Sequence, residues 1–106
     1  MKIRKLTSAL MAFNAINPKQ FAVHHALVFL YIADKGRPTY KEIERDLGMS
    51  NAAVSRSLNT MSDNAKHKKT PGYGLVEIDR DEREGRRYRV KLTAKGIDFF
   101  NRLTEI

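Results

Sequence analysis

The sequence contains no cysteine, which excludes disulfides and thiolate zinc sites and fits a reducing, cytoplasmic setting. It has no long hydrophobic run. The longest, Ala26 to Ala33, falls far short of the roughly 20 residues a membrane helix requires, and nothing resembles a signal peptide. A phosphate-cradling glycine loop is absent, and so is any Ser/His/Asp spacing in a structural context. The acids Asp79, Asp81, Glu82 and Glu84 cluster on one hairpin, which cannot enclose a substrate, so an enzyme is not expected. Nor is there any acid before Asp34, and that absence leaves the opening third of the chain purely cationic.

What is present is a folded, basic chain. Its 106 residues suffice for one domain with a modest core, and 42% hydrophobic against 30% charged residues argues against disorder. The formal net charge of +8 points to an acidic partner. The charge is concentrated: residues 1–24 carry four cations and no acid, residues 64–91 carry nine cations against five acids, and the remainder is neutral in sum.

The most informative stretch is Thr39 to Met61. Thr39 followed by Glu42 has the form of a capping box and starts a helix at Tyr40. Ile43 and Leu47 share one face of it, and Gly48 can take the left-handed conformation that ends a helix. Ser50 caps a second helix whose apolar stripe is Val54, Leu58 and Met61. The opposite face carries Asn51, Ala52, Ser55, Arg56 and Asn59, acid-free until Asp63, and so able to approach a polyanion. Amides, hydroxyls and a guanidinium are the groups that read base edges in a major groove. The stretch reads as a helix-turn-helix with its second helix, residues 50–62, in the recognition role; an ordinary helical corner with a polar outer face is the alternative.

Around that corner the pattern predicts a helix over Ile3 to Ile16 with Leu6, Leu10 and Phe13 on the apolar face of Ile3. Lys2, Arg4 and Lys5 at its start oppose the helix dipole and are candidates for phosphate contact. Asn17 as cap and Pro18 at the first helical position predict a second helix to about Asp34, its later half apolar on all sides and therefore central. His24 and His25 precede that run. Adjacent histidines stand about 100° apart on a helix and chelate poorly, so no metal is expected. Arg37 and Pro38 are candidates for a short edge strand. Ser62 to Gly74 reads as a loop with Lys66, Lys68 and Lys69 close to the end of the recognition helix.

Alternation over Leu75–Arg80 and Arg86–Leu92 predicts a hairpin whose buried face is Val76 and Ile78 against Tyr88, Val90 and Leu92. On its other face Glu77 and Asp79 are within reach of Arg87, Arg89 and Lys91, which leaves Arg83 and Arg86 at the tip as minor-groove candidates. Thr93 caps a last helix, Ala94 to about Thr104, with Ile97, Phe100 and Leu103 on one face. One of Phe99 and Phe100 is expected in the core and the other against a partner helix.

The order helix, helix, helix, recognition helix, hairpin, helix resembles the MarR family of winged-helix transcriptional regulators. The likeness rests on Val54-Ser55-Arg56, Gly74-Leu75-Val76, Asp81 with Arg83, and Val90-Lys91-Leu92-Thr93 followed by Gly96. It implies a homodimer joined through the terminal helices, recognition helices in successive major grooves of an inverted repeat, and wings in the flanking minor grooves. The chain departs from the pattern in its longer loop before the hairpin and its shorter terminal helices. It also departs at Glu44, which stands where such corners usually carry a small Ala and is expected to be solvated or paired with Arg56.

The expectation is therefore a mainly α fold with a small β-hairpin wing. Residues 1–106 form one winged-helix DNA-binding domain, with terminal helices 1–16 and 94–106 as candidate dimer elements and residues 75–92 as the wing. The expected function is sequence-specific binding of double-stranded DNA by a transcriptional regulator, a repressor, since nothing resembles an activation surface. Asn51, Ala53, Ser55 and Asn59 are the candidate base or backbone readers. Arg56, Lys66, Lys68 and Lys69 are candidate phosphate contacts, Arg83 and Arg86 wing contacts, and Thr39, Lys41 and Ser50 complete the DNA-facing set. No cofactor is implied and no effector can be named. The alternative is a winged-helix protein-interaction module, a replication accessory or anti-repressor with only non-specific DNA affinity. RNA is disfavoured by the lack of paired surface aromatics for stacking.

Overall fold

Two side-chain caps define the central corner of the computed structural model, which describes residues 2–62, 72–80 and 88–106. Thr39 Oγ1 accepts the Glu42 N–H at 3.2 Å while Glu42 Oε1 accepts the Thr39 N–H at 3.1 Å, a reciprocal box that starts helix α3, Tyr40–Leu47. Gly48 ends it in the left-handed conformation, with φ 63° and ψ 38°. Ser50 Oγ then accepts the Ala53 N–H at 3.1 Å and starts helix α4, Asn51–Met61. Val54, Leu58 and Met61 are fully buried, as their spacing predicts.

Two helices precede the corner, α1 over Ile3–Asn14 and α2 over Val23–Lys35, and the corner packs on α2. The start of α2 corrects the sequence reading. Asn17 and Pro18 do not open a helix; the Asn17 carbonyl accepts from the amides of Gln20 and Phe21, closing a single turn. Phe21 is drawn in to stack on Phe13, with ring centroids 5.6 Å apart, and the helix begins only afterwards. Its first turn is held by His25, which is buried and accepts the Ala22 N–H at Nδ1 over 3.1 Å.

Val28, Phe29 and Ile32 of α2 form the middle of the core. The expectation that this helix is covered on all sides fails at Leu27 and Leu30, which are 50% and 42% exposed, because no described segment packs over that face. Helix α1 departs further: of its predicted stripe only Phe13 is buried, while Ile3, Leu6 and Leu10 are exposed. Phe13 is the main anchor of α1, its ring 5.8 Å from Phe29 and 5.3 Å from Phe99, with Ala12 packed beside it at the core margin. Such aromatic contacts contribute about 0.5–1.5 kcal/mol each beyond the area they bury.

Strands β1, Val76–Arg80, and β2, Tyr88–Leu92, pair antiparallel with Ile78 opposite Val90 and Asp79 opposite Arg89. The expected edge contribution from the segment before α3 is present as one bridge, Thr39 to Arg89, with the Val90 N–H donating to the Pro38 carbonyl at 3.0 Å. Helix α5, Ala94–Thr104, is capped by Thr93 Oγ1, which accepts the Gly96 N–H at 3.0 Å. Its inward face is turned from the predicted one: Gly96 and Phe99 are buried, Phe100 and Leu103 pack at the core margin, and Ile97 is exposed. The cause is the close passage of Gly96 against the Leu75 carbonyl, which sets the helix rotation. Phe99 is thus the phenylalanine of the core and Phe100 is only partly covered, while the large apolar side chain of α5 that stands exposed is Ile97.

Candidate nucleic-acid interface

The outer face of α4 projects from the corner because its inner face is locked into the core. Asn51, Ala52, Arg56 and Asn59 are exposed, and Ala53 and Ser55 are half-buried at the edges of the same face. Arg56 is the only charged residue within α4. Ser50 is exposed with its hydroxyl on the Ala53 amide, and Lys41 is exposed on the first turn of α3. Thr39 departs from expectation. It is buried, and its hydroxyl both accepts from Glu42 and donates to the Glu42 carboxylate at 3.0 Å, so it builds the corner from inside.

Glu44 is the side chain whose place the sequence does not give. It reaches across the corner, accepting from Asn51 Nδ2 at Oε2 over 3.2 Å, and does not pair with Arg56. The signal lay in its position on the last turns of α3, facing the start of the next helix. That a carboxylate would choose the amide over the guanidinium depends on the angle between the two helices.

A second latch ties α3 to α2. Tyr31 of α2 donates its hydroxyl to Asp46 Oδ2 at 2.6 Å, and Arg45 Nε donates to Asp46 Oδ1 at 2.9 Å. The Arg45 and Tyr31 hydrogen bonds hold the Asp46 carboxyl down at about 2. Burial, reinforced by the bond to Asp46, pushes the Tyr31 phenol up to about 12. Glu42 is held below the usual carboxylate range chiefly by the Thr39 backbone N–H.

The body of the hairpin is tied to the corner. Arg37 donates to Asp79 Oδ1 at 3.1 Å, Arg89 donates to the Arg37 carbonyl at 2.8 Å, and Lys91 pairs with Glu77 at 3.6 Å. The expected pairing within the hairpin therefore holds for Glu77 with Lys91, whereas Asp79 turns to Arg37 on the neighbouring segment. Lys66, Lys68, Lys69, Arg83 and Arg86 lie outside the described residues.

Behind α4, between its inner edge and the start of α2, lies an open cleft of about 610 Å³ lined by His24, His25, Arg56, Ser57 and Tyr73 among others. Among the described residues no cluster of three or more His, Asp or Glu side chains is arranged to hold a metal ion, and no helix is long and apolar enough to cross a membrane.

No family model matches the chain, and no curated protein matches its sequence. Solved structures do. A mutant of MarR from E. coli complexed with operator DNA superposes with a TM-score of 0.67 at 19% identity, over 96% of this chain and 67% of that one. A mutant of MepR from S. aureus bound to an oligodeoxyribonucleotide gives 0.70 at 19% identity, over 96% and 67%. RV1404 from Mycobacterium tuberculosis gives 0.73 at 14% identity, over 96% and 63%. The chain thus spans about two thirds of the length of the solved proteins it matches. At such identities the likeness is one of architecture, and the architecture is a MarR-like winged helix.

Proposed function

We propose that this chain is a sequence-specific regulator of transcription, a repressor, which binds double-stranded DNA as a homodimer. The observation that carries the reading is the outer face of α4. It is exposed, bears amides, a hydroxyl and one guanidinium, has no acid of its own, and stands on a corner like those of proteins solved on DNA. In this reading α4 enters the major groove, Asn51, Ala53, Ser55 and Asn59 face bases or sugars, and Arg56, Lys41 and Ser50 meet phosphates. Lys66, Lys68 and Lys69 extend the phosphate contacts, and Arg83 and Arg86 at the wing tip reach the minor groove.

The chemistry proposed is binding without catalysis or cofactor, in the cytoplasm where the DNA is. Ile3, Leu6, Leu10 and Met11 of α1, all exposed, support pairing of two copies through the terminal helices.

The test is binding of a labelled duplex at several salt concentrations. Each phosphate contact steepens the fall of log K with log salt by about 0.9, so Arg56→Ala is expected to weaken binding and flatten the slope by about one. An unchanged slope and affinity would remove α4 from the interface. Tight capture of another protein by a chain with only non-specific DNA affinity would favour the interaction-module reading instead.

A further inference from the structure

We infer that Glu44 and Asn51 form one base-reading unit, in which Glu44 positions the Asn51 amide to take an adenine at the N-terminal end of the recognition helix. The inference rests on the proposal that α4 reads DNA and goes on to name what its first residue reads. Its basis is the 3.2 Å hydrogen bond from Asn51 Nδ2 to Glu44 Oε2, made between two helices at the exposed mouth of the corner.

Three physical points lead there. First, an exposed Asn at the start of a helix has no fixed rotamer, and ordering it on DNA costs side-chain entropy; a tether made beforehand removes much of that cost. Second, the tether fixes which atoms remain. One N–H of Nδ2 is used on Glu44, leaving the other N–H and Oδ1, the donor and acceptor that adenine takes through N7 and N6. Third, the carboxylate sets the sign of the local field. A helix N-terminus ordinarily attracts phosphate, but Glu44 beside Asn51 occupies that positive end with a negative charge. The base-facing side of Asn51 is thereby made unfavourable to the acceptor-rich guanine edge, and favourable to a base that presents an amino group.

Arg56, one helical turn and a half further on, remains for the backbone. The charged groups of the corner are thus divided, Glu44 toward base selection and Arg56 toward affinity. Glu44 is a positioning residue here, acting through Asn51.

The experiment uses a duplex enriched from a random pool by the wild-type chain, with each adenine in turn replaced by 7-deazaadenine, which lacks the N7 acceptor. Wild type should lose about tenfold in affinity at one such position. Asn51→Ala should bind the parent duplex more weakly and be indifferent to that replacement. Glu44→Ala should show the same indifference with Asn51 intact. Glu44→Gln, whose amide oxygen can still accept from Asn51, should restore the sensitivity and bind all duplexes somewhat more tightly because a negative charge is gone. Matching circular dichroism of the variants controls for folding.

If Glu44→Ala keeps the wild-type sensitivity, or if no adenine position is sensitive in a wild type that does discriminate sequences, the unit is overturned while the DNA-binding function stands. If wild type enriches no sequence at all, the underlying reading falls and the unit with it.

Discussion

The carbonyl oxygen of Leu75 lies against the Cα of Gly96 so closely that a side-chain carbon there would stand 2.1 Å from it. The same carbonyl accepts the Thr93 N–H at 3.1 Å, and Thr93 Oγ1 donates to the Gly74 carbonyl at 2.6 Å. The entry to the hairpin and the start of α5 are thus one packed unit. Replacing Gly96 by Ala forces either the carbonyl or the helix aside, and overpacking of this kind costs about 1–3 kcal/mol. Chemical denaturation of Gly96→Ala should show a loss in that range without a change of slope; wild-type stability would mean that α5 can shift freely.

Ser57 behaves in the opposite way. It is 1% exposed on the inner side of α4, and its hydroxyl has no hydrogen-bond partner among the described residues. A buried unsatisfied hydroxyl costs about 1–3 kcal/mol relative to a paired one, so Ser57→Ala should leave stability unchanged or raise it by about 1 kcal/mol. A clear loss in a thermal melt would show that the hydroxyl has a bound partner, such as a water.

Acid should loosen the corner in a defined window. Asp46 titrates at about 2 in the folded chain against about 4 when unfolded, and Glu42 is also held low. For a depressed carboxyl the stabilisation is present above the unfolded pKa and lost as pH falls through the folded one. The melting temperature should therefore decline from about pH 4 toward pH 2, and Asp46→Asn should flatten that decline. Tyr31 gives the alkaline counterpart. With its phenol at about 12, the stability it lends is complete below the usual value near 10 and is lost between the two, which absorbance titration can follow.

The exposed apolar residues of α1 lead to a prediction about assembly. Sedimentation should report a dimer for the wild type, and Leu6→Glu with Leu10→Glu should produce a folded monomer whose affinity for DNA drops steeply. A wild type that is monomeric at the concentrations where it binds DNA would contradict the proposed pairing.

Local chemistry made the corner legible from the sequence. Thr39, Glu42, Gly48 and Ser50 each act within three or four residues of themselves, and all four perform the expected cap or turn. The hairpin was legible through alternation, because Val76 and Val90 do bury the predicted face, but Tyr88, expected on that face, is 44% exposed because it stands at the end of the strand, beyond the core. What failed depended on distant partners. Phe21 stacks on Phe13 and delays α2, Gly96 meets Leu75 and turns α5, and neither encounter leaves a periodic trace. Of the site, the exposed face of α4 could be read residue by residue. Thr39 was misread because its capping and its burial come together, and the reach of Glu44 to Asn51 is set by an interhelical angle that no spacing encodes.

The most direct test of the account is selection of duplexes from a random pool at near-physiological salt, followed by sequencing of those retained. The account predicts an enriched inverted repeat with half-sites about one helical turn apart, as two symmetric recognition helices require. Retention with no enriched motif would contradict it, leaving a basic surface that holds the DNA backbone alone.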